Sequence, residues 1–115
     1  MTKTKQKFSL TVNPTFKASV DIQVPGGQSV ALLFTFKHRT RDEFKEFTEL
    51  LRDAELDGAD EIKDTDILLD IASGWELDEP FDRESLEKMV QRYMGSAQSV
   101  IRTYIDELTG ARVKN

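Results

Sequence analysis

Phe16-Lys17-Ala18-Ser19-Val20-Asp21-Ile22-Gln23-Val24-Pro25-Gly26-Gly27 is the stretch whose reading decides the fold. Phe16, Ala18, Val20, Ile22 and Val24 fall on one side of an extended chain, and Lys17, Ser19, Asp21 and Gln23 fall on the other. Strict alternation of this kind gives a strand with one buried and one wet face. Pro25-Gly26-Gly27 then reverses the chain, because glycine reaches the positive φ that hairpin turns demand. The returning strand sets Val30, Leu32, Phe34 and Phe36 together, opposite Ala31, Leu33, Thr35 and Lys37. Two strands alone are marginal in water. The hairpin must therefore pack on helices, take up Phe8–Val12 as a third strand, or pair with another chain. The second apolar face at Ala31 and Leu33 points to self-association through the hairpin.

On the N-terminal side, Met1–Lys7 has three lysines and no apolar pattern, as a frayed tail does. Phe8, Leu10 and Val12 alternate weakly and end at the turn dipeptide Asn13-Pro14. On the C-terminal side, Thr40-Arg41-Asp42-Glu43 reads as a capping box. It opens a helix with Phe44, Phe47, Leu51 and Ala54 at helical spacing, ending near Leu56 before Asp57-Gly58. Ile62–Ser73 reads as helical, with Gly74 as its stop or bend. Asp82 is a helix cap, and Leu86, Met89, Val90 and Tyr93 form the inner face of the helix it starts. Gly95-Ser96 marks a break, with serine as the next cap. Val100, Ile101, Tyr104, Ile105 and Leu108 line the last helix until Gly110.

The expected fold is therefore α+β: an N-terminal antiparallel hairpin, with room for a third strand, followed by four or five short helices. The 115 residues suit one domain, with a hairpin region over Phe8–Lys37 and a helical region over Thr40–Gly110. Trp75 is the only tryptophan, at the corner where an apolar run, Gly74 and a new helix start follow one another. It is read as a packing centre for the C-terminal half rather than as a surface anchor.

Composition narrows the function. The net charge is −5, and the only basic cluster beyond the N-terminus is Lys37-His38-Arg39-Thr40-Arg41, so nucleic acid is not an expected partner. No apolar run approaches the ~20 residues that cross a bilayer, and no signal-peptide core follows the basic start, which suggests a cytoplasmic protein. Cysteine is absent, which removes disulfides, thiol catalysis and thiolate metal sites. Asp53–Asp66 is acidic but lacks the alternate-carboxylate register of a calcium loop, so it reads as solvated. The single histidine, His38, has no nucleophile or orienting carboxylate marked beside it. Asp70 lies within the apolar Ile67–Ile71 run, but a helical Asp70 belongs on the solvent face. Gly26-Gly27 precedes no phosphate-loop pattern. No enzyme, cofactor or metal site is expected, and a binding or assembly role is what remains.

The order of several short motifs points further. They are Phe8-Ser9-Leu10, Asn13-Pro14-Thr15-Phe16, the Val24-Pro25-Gly26-Gly27 turn and Phe34-Thr35-Phe36-Lys37-His38-Arg39-Thr40 with its helix. Ile71-Ala72-Ser73-Gly74-Trp75 with Pro80-Phe81 and the ending from Tyr104 to Lys114-Asn115 complete the set. In this order and length the sequence resembles the small tail assembly chaperones of long-tailed bacteriophages and prophages. The resemblance implies a non-catalytic protein of the host cytoplasm, absent from the finished virion. It implies binding to the tape-measure protein, whose hydrophobic helices it keeps soluble, and help in recruiting tail tube subunits. It also implies that a longer form often arises by translational frameshift. Partner contacts are placed at Trp75 and Phe81 of the corner and at Tyr93 and Tyr104 of the last two helices. A structural tail component, of the tail-completion or connector kind, is the alternative that the small α+β size suits equally.

Overall fold

The computed structural model describes residues 10–56 and 64–110. Strands β1 (Thr15–Val24) and β2 (Gln28–Lys37) lead to helices α1 (Arg41–Leu56) and α2 (Asp64–Ile71). A short strand β3 (Ala72–Trp75) follows, then α3 (Arg83–Arg92) and α4 (Ser96–Thr109). The class is α+β, with a three-stranded antiparallel sheet in the order β1-β2-β3 and helices against one of its faces.

The hairpin forms in the register its alternation predicts, from Thr15 opposite Lys37 to Val24 opposite Gln28. Gly27 N–H donates to the Val24 carbonyl at 3.3 Å, closing the turn. Gly26 and Gly27 hold φ of 108° and 89°, values that side chains with a Cβ rarely adopt. Ala18, Val20 and Ile22 of β1 and Leu32, Phe34 and Phe36 of β2 are buried on one face. Val30 belongs to that face by register but is 56% exposed, because it lies near the tip of the hairpin, beyond the cover of the helices.

The third strand is not Phe8–Val12. Phe8 and Ser9 fall outside the described residues, and Leu10–Val12 is not strand. The strand that completes the sheet is Ala72–Trp75, which sequence periodicity assigns to the end of a helix. Gly74 is neither a stop nor a bend there: it has no positive φ and lies opposite Thr35, where an added Cβ would make ordinary contact at 4.0 Å. The helix stops earlier, at Ile71, and a bulge at Thr35/Phe36 admits the extra residue Ser73. Tertiary pairing overrides local preference here, because β2 offers a row of free N–H and C=O groups that must be matched. Leu33 C=O, for example, accepts from Glu76 N–H at 3.0 Å.

Local signals hold elsewhere. Thr40 and Glu43 form the reciprocal capping box: Glu43 N–H to Thr40 Oγ1 at 3.2 Å, and Thr40 N–H to Glu43 Oε1 at 2.8 Å. Asp82 Oδ1 caps α3 by accepting from Ser85 N–H at 2.9 Å. Gly95, at φ 84°, separates α3 from α4, and Gly110, at φ 70°, ends α4. Ser96 does not cap α4. Gly95 holds the cap position, and the buried Ser96 hydroxyl instead donates to Met89 C=O at 3.4 Å. The expected acidic loop and the two terminal segments lie outside the described residues, apart from Asp53, Glu55, Asp64 and Asp66 at the adjoining helix ends.

The helices are locked to the sheet at one end by a polar chain. Tyr104 of α4 is fully buried; its hydroxyl donates to Lys37 C=O at 2.7 Å and accepts from Arg39 at 2.8 Å. The same guanidinium reaches Asp70 of α2 at 2.6 Å and lies 4.5 Å from the centre of the Phe47 ring of α1. Lys37 Nζ in turn donates to Leu69 C=O near the end of α2 at 3.3 Å. Burial pushes the Tyr104 phenol above its ordinary pKa, although its bond to Arg39 pulls the other way. For Arg39, burial alone would lower the pKa, but Tyr104 and Asp70 outweigh it and hold the pKa above the usual arginine value.

Two stability predictions follow from these contacts. Tyr104→Phe keeps the ring but strands the Lys37 carbonyl and one Arg39 donor, and should cost about 1–3 kcal/mol in urea denaturation. The Thr40 N–H holds the Glu43 carboxyl below its ordinary 4.5, so its contribution is complete at neutral pH and fades as pH falls through the lowered folded value. Glu43→Ala should therefore lower the melting temperature at about pH 7, with the gap from wild type narrowing as pH falls below the ordinary carboxylate range. Melts followed by circular dichroism check both.

Candidate functional site

The surface best suited to a partner lies at the opposite end of the hairpin from Arg39. There β3 runs out at Trp75, and Glu76–Glu79 loops across before α3 begins. The indole N–H of Trp75 donates to Glu79 C=O at 2.9 Å, which pins this loop. The indole stands edge-on to Phe34 at 5.8 Å and to Phe81 at 5.2 Å between ring centres. Trp75 is half-buried: one side packs on the core, and another lines a groove of about 430 Å³ between the hairpin tip and α3. Ile22, Leu32 and Met89 form the buried part of that groove. Val30, Leu77 and Tyr93 line it while 56%, 45% and 37% exposed, and Met94 beside Tyr93 is 87% exposed. Gathered around one groove, these open apolar side chains make it the candidate interaction surface.

Charge frames the groove without closing it. The loop contributes Glu76 and Glu79, and α3 contributes Lys88 and Arg92. Among the described residues no salt bridge joins the two pairs; Lys88 approaches Glu84 of its own helix at 3.9 Å.

The four residues singled out in the sequence separate. Trp75 and Tyr93 meet in the groove. Phe81 stands against Trp75 but outside the groove lining, as a half-buried brace. Tyr104 lies in the core by Arg39, with no side-chain surface to offer. Its place on the inner stripe of α4, with Val100, is the signal of a core residue. Leu77, Val30 and Met89 were not marked as site residues in the sequence. Leu77 is an isolated apolar residue in a loop, and only its company in space reveals it.

A second hollow, about 400 Å³, lies along His38, Arg39, Glu43, Phe47 and Asp70. Its charges are mostly spent on one another through the Arg39–Asp70 pair and the capping box, so it serves the fold rather than a ligand. Among the described residues no three His, Asp or Glu side chains converge as metal ligands would, and no helix is long and apolar enough to cross a membrane.

An α+β scaffold with an open apolar groove, in which no described helix is long and apolar enough to cross a membrane, has a surface that another chain could fit. The particular family is given by comparison: the sequence profile of the phage tail assembly chaperones matches residues 1–115, and the chain belongs to that family. Membership implies a chaperone role in tail assembly, without catalysis, with phage tail proteins as partners. Neither the curated proteins nor the solved structures contain a match to it.

Trp75→Ala tests the dual position of the indole. Loss of two ring contacts and the loop-pinning bond should cost about 2–4 kcal/mol, less than a fully buried tryptophan, with the fold retained in mild buffer. Denaturant titration and near-ultraviolet circular dichroism measure this.

Proposed function

We propose that this tail assembly chaperone holds an amphipathic helix of the phage tape-measure protein in the groove between the hairpin tip and α3. The observation that carries the reading is the set Val30, Leu77 and Tyr93, open to solvent around an apolar floor. A helix presents apolar anchors at i, i+3/i+4 and i+7, and a groove flanked by helix and loop receives such a stripe. The charged rim keeps the empty groove hydrated and gives a client's flanking charges something to meet. In this role the protein works in the host cytoplasm, shields tape-measure helices until tail tube subunits arrive, and leaves before the virion is complete. The family assignment and the groove support this reading together.

Co-expression with tape-measure segments tests it. The wild-type chain should keep an apolar segment soluble and co-elute with it. Leu77→Asp and Tyr93→Ala, both at exposed positions, should fold normally and weaken binding about tenfold or more. Equal retention by both variants would remove the groove from the reading. Finding the protein in purified virions would favour a structural tail component instead.

A further inference from the structure

Among the described residues, the ten-residue strand β1 forms one edge of the sheet, with β2 on one side only. Its backbone polarity can be assigned. The Pro14 carbonyl accepts from His38 N–H at 2.8 Å, and the Val24 carbonyl accepts from Gly27 N–H at 3.3 Å, so even-numbered residues turn their polar groups toward β2 and the turn. In an antiparallel ladder the alternate residues face the other way. Thr15, Lys17, Ser19, Asp21 and Gln23 therefore direct N–H and C=O to the open edge. No bulge or proline interrupts this row, although edge strands usually carry such protection.

The side chains on these residues add a register. Lys17 and Asp21 lie on the wet face, each two residues from Ser19. Among the described residues neither has an ion-pair partner. If a second β1 runs antiparallel about a two-fold axis at Ser19, Lys17 falls opposite Asp21 of the other copy, and the reverse pair forms by symmetry. All these residues are of the outward-bonding parity, so the same register that pairs the charges pairs the backbones. On the inner face, Ala18 meets Val20 and Phe16 meets Ile22, apolar on apolar. Below the sheet, α4 packs against the buried face of β1 and reaches β2 through Tyr104, whose hydroxyl is 2.7 Å from Lys37 C=O.

We propose that β1 pairs with β1 of a second copy of this chain, about a two-fold axis at Ser19, to give a continuous six-stranded sheet. The proposal does not rest on the client groove, which lies between the hairpin tip and α3.

Sedimentation of the full chain alone should show a concentration-dependent dimer. Ser19→Pro removes an N–H that faces solvent in the monomer, so circular dichroism and melting should change little while the dimer is lost. Lys17→Glu and Asp21→Lys each place like charges in both pairs and should each weaken association about tenfold or more. Mixing these two variants restores opposite charges in both pairs of a heterodimer, so the mixture should associate where neither variant does alone. A wild-type chain that stays monomeric at its highest soluble concentration would overturn the proposal. So would a dimer unaffected by Ser19→Pro, or swapped variants that fail to complement.

Discussion

One hydroxyl holds this architecture together. Tyr104 Oη lies between the Lys37 carbonyl and the Arg39 guanidinium, and Arg39 continues to Asp70 and over Phe47. Four elements or their junctions meet there: the end of β2, α1, α2 and α4. Apolar burial supplies most of the stabilising energy, at about 1.5–3 kcal/mol for each large core side chain. Burial has no direction, however, and short helices can slide on an oily sheet. A buried polar group must find its partner or forfeit its hydration, so the Tyr104 chain selects one placement of the helices. The rings around it follow: Phe16, Phe36 and Phe47 lie within 5.2–6.2 Å of the tyrosine ring.

How much of this could be read beforehand depends on how far each signal reaches. The hairpin, the capping box, the Asp82 cap and the breaks at Gly95 and Gly110 are local: alternation, side-chain reach over three residues, or a positive φ decides them. They appear where the sequence places them. The strand Ala72–Trp75 was not legible. Four residues that include Ser and Gly, trailing an apolar helical run, have no strand signature of their own. Their conformation is imposed by the free side of β2, residues distant in sequence. The same holds for the groove. Trp75 and Tyr93 stood out as aromatics, but Leu77 joins them only because Trp75 pins the loop. Tyr104 is read from the sequence as a contact residue although it shares the inner stripe of α4 with Val100, and the structure buries it fully. The bond to Lys37 C=O holds it there.

The two ends of the hairpin divide the labour of the molecule. Near Lys37 and Arg39, polar bonds and stacked rings fix the packing. Near the tip, Val30, Leu77 and Tyr93 are left open where the helices do not reach. The tip lies apart from the Tyr104 chain, so substitutions at these exposed positions leave that polar chain untouched. That separation suits a tail assembly chaperone, whose family is defined by its role rather than by any reacting group.

The contact between α4 and β1 has a consequence for synthesis. Lys37 and Tyr104 are 67 residues apart, and the face of β1 carrying Val20 is covered only when α4 arrives. A ribosome will have released most of the chain before that cover exists. Until then the nascent hairpin carries a bare row of Phe16, Val20, Ile22, Phe34 and Phe36. Non-local closure of this kind slows folding and prolongs the exposure of sticky intermediates. A tail assembly chaperone thus passes, during its own synthesis, through a state whose own apolar face is bare.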